Sequence, residues 1–270
     1  MIDLCVINFN TINKLLRFHD QLFSLDLYDQ WKHGPFNVYI ADNGSTDASA
    51  KIVELRPPGK RYTFVQNENI GYSAAANQLV AMGTGDIIGI LNADVWLTPS
   101  DVVQIQQSFD ESPDIAILGP KQRDEKGNIT HAGIEGTNTH PKHRGWQQPD
   151  PDDVLYRDVR EMVTVSGSAY FIRRSVWDDL THCPVNVRWY RERFGNDPNG
   201  AFGPQRHYFE ETQASYHARA HEYKIYYDGR ISIGHSWHAS HPVGSPQDQL
   251  FGESRKIFRD FCDYHGILHD

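Results

Sequence analysis

Residues Gly85–Pro99 read GDIIGILNADVWLTP, and this stretch decides the fold that the chain is expected to adopt. It begins as a buried strand and then stops at the polar triplet Asn92-Ala93-Asp94. Asn and Asp side chains both stabilise turns, so an ordinary turn is one explanation of the triplet. The alternative is a ligand site, because open α/β sheets bind their ligands at the carboxyl ends of strands.

Strand and helix signals alternate on both sides of this stretch. Short apolar runs predict strands at residues 2–9, 37–43, 62–67, 86–92 and 115–120. Helical spacing and helix-start signals predict helices at residues 11–27, 45–56, 73–82 and 99–112, the last with Pro99 near its start. Such alternation is typical of an α/β fold whose central, mostly parallel sheet is flanked by helices.

The pattern changes near residue 120. The predicted elements are a hairpin through 126–128, a polar, mobile surface loop at 137–153, a strand at 161–174, an irregular segment at 183–205, a helix at 210–222, a strand pair around Asp228-Gly229 at 223–237 and a helix at 248–265. These elements show no obvious core of their own. We therefore expect one domain spanning residues 1–270, with halves at 1–120 and 121–270.

The composition argues against several classes of protein. A net charge of -9 and a pI of about 5.8 disfavour a general nucleic-acid coat, which would present a basic stripe. The three cysteines, Cys5, Cys183 and Cys262, show no metal-binding spacing and are interpreted as reduced intracellular thiols. The first residues lack a signal-peptide pattern, and no run approaches the roughly 18 apolar residues that span a bilayer. A soluble, cytoplasmic protein that could still visit a membrane surface is expected.

Each of the first four predicted strands ends in a polar, turn-forming cluster. The clusters occupy residues 8–10, 42–47, 67–72 and 92–94. One such cluster is usually only a turn. Four of them at the same edge of one parallel sheet form a polar crevice, so the pattern favours a ligand site.

Six segments in the chain resemble family 2 glycosyltransferases in order and spacing, most closely the rhamnosyltransferase-like branch. They are ADNGSTDAS, NENIGYSAAAN, GDIIGILNADVWLTP, VSGSAYFIRRSVW, HYFEETQASYHARAHEYKIYY and GHSWHAS. The resemblance runs from Val6 to about Gly266 and implies a GT-A (Rossmann-like) fold with a smaller antiparallel acceptor-side extension. It also implies an inverting transfer of a sugar from a nucleotide-sugar donor, with a divalent cation, Mn²⁺ or Mg²⁺, holding the diphosphate.

The resemblance assigns donor binding to residues at or after the strand ends. They are Asn8, Asp42, Asn43, Asn69, Gly71, Asn77, Asn92, Ala93 and Asp94. Asp42 matches the family's base-binding acid, although an Asx-turn that caps the next helix would also explain it. The small residues before Asn77 suit either a sugar contact or tight helix–sheet packing. UDP- and dTDP-sugars are the favoured donors.

The metal site is expected at Asp94, which matches the last acid of the family's Asp-x-Asp motif. Asn92 replaces the first acid, which leaves its amide available to a sugar or ribose hydroxyl. A hard cation needs further ligands, and in the family one is a histidine that follows a late strand. His235 matches that position, and His238 is the near alternative.

The general base is expected at the start of the helix at 210–222. The family's motif there is Glu-Asp-x-Asp, whereas this chain reads Glu210-Glu211-Thr212-Gln213. Glu211 stands where the base removes the proton of the acceptor hydroxyl, with Glu210 beside it. Two acids can also serve only to stabilise a helix N-terminus, so a structural role for the pair stays open.

The acceptor side is expected to include Gly167 and Ser168 as a wall. Trp146 and Arg144 lie in the 137–153 loop, which either closes over a bound substrate or is a passive insertion. The acceptor class is left open between a glycan, a lipid, a protein and a modified nucleic acid.

Two other functions fit parts of the sequence. The residues at 92, 211 and 213 depart from the family motifs, which keeps open a catalytically inactive homologue that binds a nucleotide or glycan. A nucleotidyltransferase is the weakest alternative. Its usual glycine-rich, basic phosphate loop is missing from the first strand–helix connection, NFNTINKLL.

Overall fold

The computed structural model describes residues 1–23, 33–55, 62–236 and 247–269. Its strands are β1 (Ile2–Asn8), β2 (Phe36–Asp42), β3 (Tyr62–Gln66), β4 (Ile87–Asn92), β5 (Val95–Trp96), β6 (Ile115–Arg123), β7 (Ile129–His131), β8 (Ile134–Thr137), β9 (His140–His143), β10 (Val159–Glu161), β11 (Ala169–Arg173) and β12 (Lys224–His235). Its α-helices are α1 (Ile12–Phe23), α2 (Tyr72–Met82), α3 (Pro99–Glu111), α4 (Arg174–His182), α5 (Pro184–Phe194), α6 (Glu210–Ala220) and α7 (Gln247–His265).

One large sheet runs through both halves of the chain in the order β10-β12-β6-β11-β4-β1-β2-β3. Strands β4, β1, β2 and β3 are mutually parallel, and β12 is parallel to β6. Strand β11 lies between β4 and β6 and is antiparallel to both. The predicted α/β fold with a mostly parallel sheet and helices is confirmed, and a small antiparallel sheet of β8 and β9 accompanies it.

Alternate side chains of the central strands pack into two different hydrophobic clusters. Leu4 and Val6 of β1 belong to a cluster with Phe18 of α1 and with α3, whereas Cys5 belongs to one with Leu79 of α2 and with helices α4 and α6. Successive strand residues point to opposite faces, so helices cover both sides of the sheet. Each such buried side chain contributes roughly 1.5–3 kcal/mol, and together they fix the positions of the strand ends.

Local sequence signals place helix α3 directly after the Gly85–Pro99 stretch. Thr98 accepts a hydrogen bond from the Asp101 amide, and Asp101 accepts one from the Thr98 amide, so the two residues form a capping box. Pro99 occupies the first turn, as predicted. The chain therefore turns back over the sheet immediately after the polar triplet at 92–94.

The helix predicted at 45–56 is present at Ala48–Leu55 as a 3₁₀ helix. Two other predicted elements were assigned the wrong structure. The segment predicted as irregular contains helix α5, which starts at Pro184 and ends at Phe194. Gly195 follows it in a left-handed conformation (φ 75°). Both terminal signals were visible in the sequence, but the aromatic and basic composition between them obscured a helix that buries Trp189.

The predicted strand pair around Asp228-Gly229 is also wrong, because residues 224–235 form the single strand β12. The register against β6 shifts between Asp228, which is still paired, and Ser232, so residues 229–231 form a bulge instead of a hairpin turn. A Cβ on Gly229 would lie 1.8 Å from the Tyr156 carbonyl oxygen, so this glycine permits a close backbone approach.

The polar segment at 137–153 has more structure than predicted. It contains strand β9, which pairs with β8, and near its end lies Asp150, whose buried carboxylate forms an ion pair with buried Lys121. The 126–128 hairpin is confirmed as the β6–β7 connection, with Gly127 at φ 80°. Mobility of the 137–153 segment stays a prediction, testable by hydrogen exchange with and without donor. The end of the predicted first helix, residues 24–27, lies outside the described residues.

Candidate functional site

A cleft of about 160 Å³ lies at the carboxyl ends of β1, β2 and β4. Its lining residues are Ile7, Phe9, Thr11, Asn43, Asn69, Gly71, Tyr72, Asn92, Ala93, Asp94, Arg206, His207 and Leu250. Six of the nine predicted donor residues are in this lining. The polar triplet after β4 therefore faces a cleft, as the ligand-site explanation of the Gly85–Pro99 stretch requires.

Asn8 and Asp42 lie beneath the cleft, where both are completely buried. Asp42 Oδ1 accepts hydrogen bonds from Asn8 Nδ2 at 2.8 Å and from Ser45 Oγ at 2.5 Å. Asp42 Oδ2 is buried and has no hydrogen-bond partner among the described residues. The Ser45 bond agrees with the Asx-turn explanation of Asp42, and because the side chain is completely buried, its Oδ2 is not exposed to the cleft in this structure.

The Asn43–Gly71 wall of the cleft is held by side-chain bonds to backbone amides. Asn43 Oδ1 accepts from the Ile70 amide at 3.2 Å, and Asn69 Oδ1 accepts from the Gly71 amide at 3.2 Å. Gly71 has φ 91°, and a Cβ there would lie 3.0 Å from the Cα of Arg206. The backbone that approaches Gly71 in this structure is therefore that of Arg206.

Asn77 does not line the cleft, in contrast to its predicted role in donor binding. Its Nδ2 donates to Asn199 Oδ1 at 2.9 Å and to the Phe202 carbonyl at 3.0 Å. The side chain thus fastens the 199–202 segment to helix α2. Residue spacing near Gly71 could not predict this role, because the partners of Asn77 are more than 120 residues away in the sequence.

Asp94 and His235 meet at one end of the cleft. Strand β5 pairs with the end of β12, so Val95 lies opposite His235, and the Ser236 amide donates to the Asp94 carbonyl at 2.9 Å. Asp94 Oδ1 and His235 Nε2 are 3.6 Å apart, and both residues are buried. The other candidate histidine, His238, lies outside the described residues.

The Asp94 carboxylate has the properties expected of a cation ligand. Its Oδ1 is buried without a hydrogen-bond partner among the described residues. Burial raises its pKa to about 7, so isolation from water destabilises the charged form. Two ligands about 2.1 Å from one ion at right angles would be about 3 Å apart, close to the observed 3.6 Å separation from His235. The donor set of one carboxylate and one imidazole therefore fits a divalent cation.

Glu210 and Glu211 open helix α6 but point in different directions. Glu210 is buried, with Oε1 3.8 Å from His207 Nδ1, and its Oε2 has no hydrogen-bond partner among the described residues. Glu211 packs over Gly167, where an added Cβ would lie 3.0 Å from its Cγ. Burial raises the pKa of both carboxyl groups, and the charge of Glu211 raises that of Glu210 further.

Tyr72, which the sequence reasoning missed, connects the two groups of acids. Its hydroxyl donates to the Gly167 carbonyl at 3.2 Å. Its pKa is raised well above the ordinary value by burial, then by the charges of Glu210, Glu211 and Asp94. Asp94 and the two glutamates are therefore close enough to one phenol for their charges to act on it. In the sequence, its position directly after Gly71 was the signal that could have placed Tyr72 at the site. The sequence does not show that its side chain reaches Gly167, which is 95 residues away.

Arg206 and His207 also line the cleft and were missed. Arg206 donates to the Asn69 carbonyl at 3.0 Å, and the His207 ring lies 5.5 Å from that of Tyr72. Tyr208 and Phe209 follow with φ values of 73° and 67°. Two adjacent aromatic residues in this left-handed region are strained by roughly 1–3 kcal/mol each, and such strain clusters at functional sites. Basic residues just before an acid pair were a signal that could have identified this wall.

The predicted acceptor-side residues divide into two groups. Ser168 adjoins the cleft, since its carbonyl accepts from the Asn92 amide at 2.9 Å and its hydroxyl donates to Gln122 Oε1 at 2.7 Å. Gly167 lies under Glu211 and next to Tyr72. Trp146 is exposed, stands 5.6 Å from the His143 ring and is not part of the cleft lining.

The chain belongs to glycosyl transferase family 2, whose sequence model matches residues 3–180. This confirms the family resemblance and identifies the cleft as lying in a glycosyltransferase domain. In the part of the chain that the structure covers, no helix combines the length and apolarity that crossing a bilayer requires.

Curated relatives support the rhamnosyltransferase-like branch. The N-acetylglucosaminyl-diphospho-decaprenol L-rhamnosyltransferase of Mycobacterium tuberculosis is 29% identical over 170 residues, which are 54% of this chain and 54% of that protein. The hyaluronan synthase of Pasteurella multocida is 29% identical over 98 residues, 36% of this chain and 10% of the synthase. The chain thus spans about half the length of the rhamnosyltransferase that it matches.

Solved structures of glycosyltransferases share the fold. The mannosyltransferase PcManGT of Pyrobaculum calidifontis, in complex with GDP-Man and Mn²⁺, aligns with a TM-score of 0.56 and 13% identity over 98% of this chain and 69% of its own. GalNAc-T7 with UDP, GalNAc and Mn²⁺ aligns with a TM-score of 0.58 and 14% identity over 100% of this chain and 55% of its own. At these identities the alignments establish the fold alone.

Proposed function

We propose that this protein is a metal-dependent, inverting glycosyltransferase that moves a sugar from a nucleoside-diphosphate sugar to an acceptor hydroxyl. One observation carries the proposal: Asp94, which lies 3.6 Å from His235, and Glu211 are both close enough to Tyr72 for their charges to raise the pKa of its phenol. Inversion needs an entering hydroxyl and a leaving diphosphate on opposite sides of the anomeric carbon. A base at Glu211 and a cation at Asp94 would supply the two groups that this reaction needs in one neighbourhood.

Asp94 and His235 would hold the cation, with donor diphosphate oxygens completing its ligands. A divalent cation bound there would neutralise the charge that develops on the leaving diphosphate. Mn²⁺ is favoured over Mg²⁺ because an imidazole is one of the ligands, and imidazole nitrogen suits the transition metals better. Asn43, Asn69 and Asn92 would bond the nucleotide and its sugars from the cleft walls.

Glu211 would take the proton from the acceptor hydroxyl. Its carboxylate faces Gly167 at the acceptor-side wall, and Thr212 Oγ1 donates to its Oε1 at 3.0 Å. Burial raises the pKa of Glu211, which makes its ionised form a stronger base than an exposed glutamate. Glu210 is directed towards His207 and would position that wall of the cleft.

The substrates are proposed as classes. The relative named as an L-rhamnosyltransferase favours a deoxyhexose or hexose donor, carried on UDP or dTDP. The acceptor is a glycan, lipid, protein or modified nucleic acid whose hydroxyl reaches Gly167. A thermal-shift screen of UDP, dTDP and GDP, each with Mn²⁺ or with chelator, would identify the base, because a ligand at 100 times its Kd stabilises by about 2.7 kcal/mol.

The central experiment compares Glu211→Gln with Glu210→Gln. Glutamine keeps the size of the side chain but cannot accept the proton. We expect Glu211→Gln to retain donor binding while transfer, or donor hydrolysis if no acceptor is known, falls by roughly 10²- to 10⁴-fold. Glu210→Gln should lose less. Equal, small losses from both variants would refute the assignment of Glu211 as the base.

A second function, nucleotide or glycan binding without turnover, is favoured by one observation. Gln213 stands at the family's second acid position, is buried, and accepts a hydrogen bond from Gln205 at 2.7 Å. That position is therefore occupied by a structural amide pair. Metal-dependent binding of a nucleoside diphosphate without any hydrolysis of its sugar donor would select this function.

A further inference from the structure

A second group of metal-ligating side chains lies at the opposite end of helix α6 from Glu210 and Glu211. It consists of Cys183, at the junction of α4 and α5, and of His217 and His221, one turn apart at the end of α6. One ligand atom from each residue lies within 4.8 Å of the other two. We propose that these three residues bind a zinc ion.

The geometry of the cluster matches tetrahedral zinc. Cys183 Sγ and His221 Nε2 are 3.6 Å apart. Zinc–sulfur and zinc–nitrogen bonds of about 2.3 and 2.0 Å at a tetrahedral angle place the two ligand atoms about 3.5 Å apart. The third ligand atom, on His217, lies within 4.8 Å of the other two, so a small movement of its ring would bring it to the same separation.

The buried histidine of the cluster has an unused ligand atom. His217 is 2% exposed, and its Nε2 has no hydrogen-bond partner among the described residues. Burial lowers the pKa of His217 to about 3, with smaller contributions from His265 and His221, so the ring is neutral and its lone pair is available. A buried imidazole nitrogen without a partner is unfavourable, and a cation would relieve that cost.

His265 on α7 is placed to complete the site. Its ring centroid is 5.0 Å from that of His217, and its Nε2 is buried without a hydrogen-bond partner within the described ranges. Its Nδ1 lies 2.8 Å from the Phe261 carbonyl, so Nδ1 carries the proton and Nε2 the lone pair. Zinc-ligating histidines are oriented by a carbonyl in this way. A ring movement of His265 would give a Cys-His₃ site.

The ligand types separate this site from the one at Asp94 and His235. Thiolate and imidazole ligands favour zinc, whereas Mn²⁺ and Mg²⁺ prefer sites with carboxylate oxygens. The last turn of a helix also favours a cation, since the carbonyl ends carry partial negative charge. Bound zinc would tie α6 to the α4–α5 junction and so fix the helix that carries Glu210 and Glu211.

Cobalt substitution tests the proposal with a signal that only a sulfur ligand produces. The intact protein is treated with chelator and titrated with Co²⁺, and the thiolate-to-cobalt charge-transfer band is recorded. We expect the band to reach its full intensity at one equivalent of Co²⁺ per protein chain. One equivalent of Zn²⁺ should abolish the band, whereas Mn²⁺ should not. Cys183→Ser should abolish the band, and His221→Ala, at an exposed position, should weaken Zn²⁺ binding at least 10-fold.

His182→Ala is the matched control, because His182 is an exposed neighbour of Cys183 whose Nδ1 lies 2.8 Å from the Asp178 carbonyl. This variant should titrate like the unmodified protein. Zinc at 100 times its Kd should raise the Tm of the unmodified protein by roughly 5 °C and raise that of His221→Ala much less. Absence of the band in the unmodified protein, or its persistence in both Cys183→Ser and His221→Ala, would overturn the proposal in favour of a thiol–imidazole hydrogen bond.

Discussion

Two buried aspartates in different regions of the molecule have opposite environments. Asp150, near the end of the 137–153 segment, is ion-paired with buried Lys121 and accepts hydrogen bonds from the amides of Val154 and Leu155 at 2.9 and 3.1 Å. Asp94, at the cleft, is exposed to a similar small extent, 7% against 2%, but its Oδ1 lacks a hydrogen-bond partner within the described residues.

The pKa values of the two carboxyl groups shift in opposite directions for this reason. Burial alone would raise both. At Asp150 the bonds from Lys121, Val154 and Leu155 outweigh burial and lower the pKa below its ordinary value. At Asp94 burial dominates and raises the pKa to about 7. A buried carboxylate whose oxygens all accept hydrogen bonds or form ion pairs stabilises the fold. A buried carboxylate with an oxygen that accepts no hydrogen bond is suited to binding a ligand.

The largest expected effect is on stability, from Asp150→Ala. Removing this carboxylate leaves the buried Lys121 ammonium with only the Asp153 carboxylate, 2.9 Å away, and the Leu155 carbonyl as partners. It also removes the acceptor of the Val154 and Leu155 amides, so we expect a loss of about 3 kcal/mol of unfolding free energy. Denaturant unfolding would measure the loss. Asp152→Ala, at the exposed position two residues away, is the control and should change stability by less than about 0.5 kcal/mol. Equal stability of both variants would remove the structural half of the comparison.

Asp94→Asn should show the reverse pattern. Without cation, its stability should not fall, because its Oδ1 has no hydrogen bond to lose. Metal-dependent affinity for a nucleoside diphosphate should fall by roughly 100-fold, about 2.8 kcal/mol, measured by titration calorimetry with Mn²⁺. His235→Ala should weaken the same binding less. Unchanged metal-dependent affinity in Asp94→Asn would contradict the metal site, and a larger effect from His238→Ala would reassign the histidine.

The pH dependence of stability should reveal how much the Asp150–Lys121 ion pair contributes to the stability of the fold. The pKa of Asp150 is lower in the folded state than the value of about 3.9 in an unfolded chain. Its contribution is therefore fully present above that unfolded value and is lost as the pH falls through the folded pKa. Stability measured between pH 7 and pH 3 should fall less steeply in Asp150→Asn than in the unmodified protein. Parallel curves would show that the pair does not contribute.

The smallest predicted effect tests the connection through Tyr72. Tyr72→Phe removes the 3.2 Å hydrogen bond to the Gly167 carbonyl and should lower stability by about 1 kcal/mol. Transfer should fall more than nucleotide affinity, since the bond lies between the cleft and the wall beneath Glu211. Tyr223→Phe, whose exposed partner is Asp179, is a control for loss of a phenol and should leave transfer unchanged. A selective loss of nucleotide affinity would place Tyr72 on the donor side only.

Local pattern in the sequence predicted the first half of the fold and much of the cleft. The strand runs before Asn8, Asp42 and Asn92 alternate with helices, and parallel strands bring their carboxyl ends together without any long-range information. The same local reasoning failed at Asp228-Gly229. An Asp-Gly pair is compatible with either a hairpin turn or a bulge, and it is the pairing of β12 with β6 that decides between the two.

The sequence by itself determined the α/β class, the family and the acids at the strand ends and helix start, because these depend on periodicity and on neighbours along the chain. Only the tertiary structure decided which buried side chains are partnered. It gave Asp150 a lysine 29 residues away and directed Asn77 towards a segment 122 residues away. It also brought Cys183 to two histidines that lie more than 30 residues further along the chain. Such contacts are set by packing across the sheet, and residue spacing does not encode them.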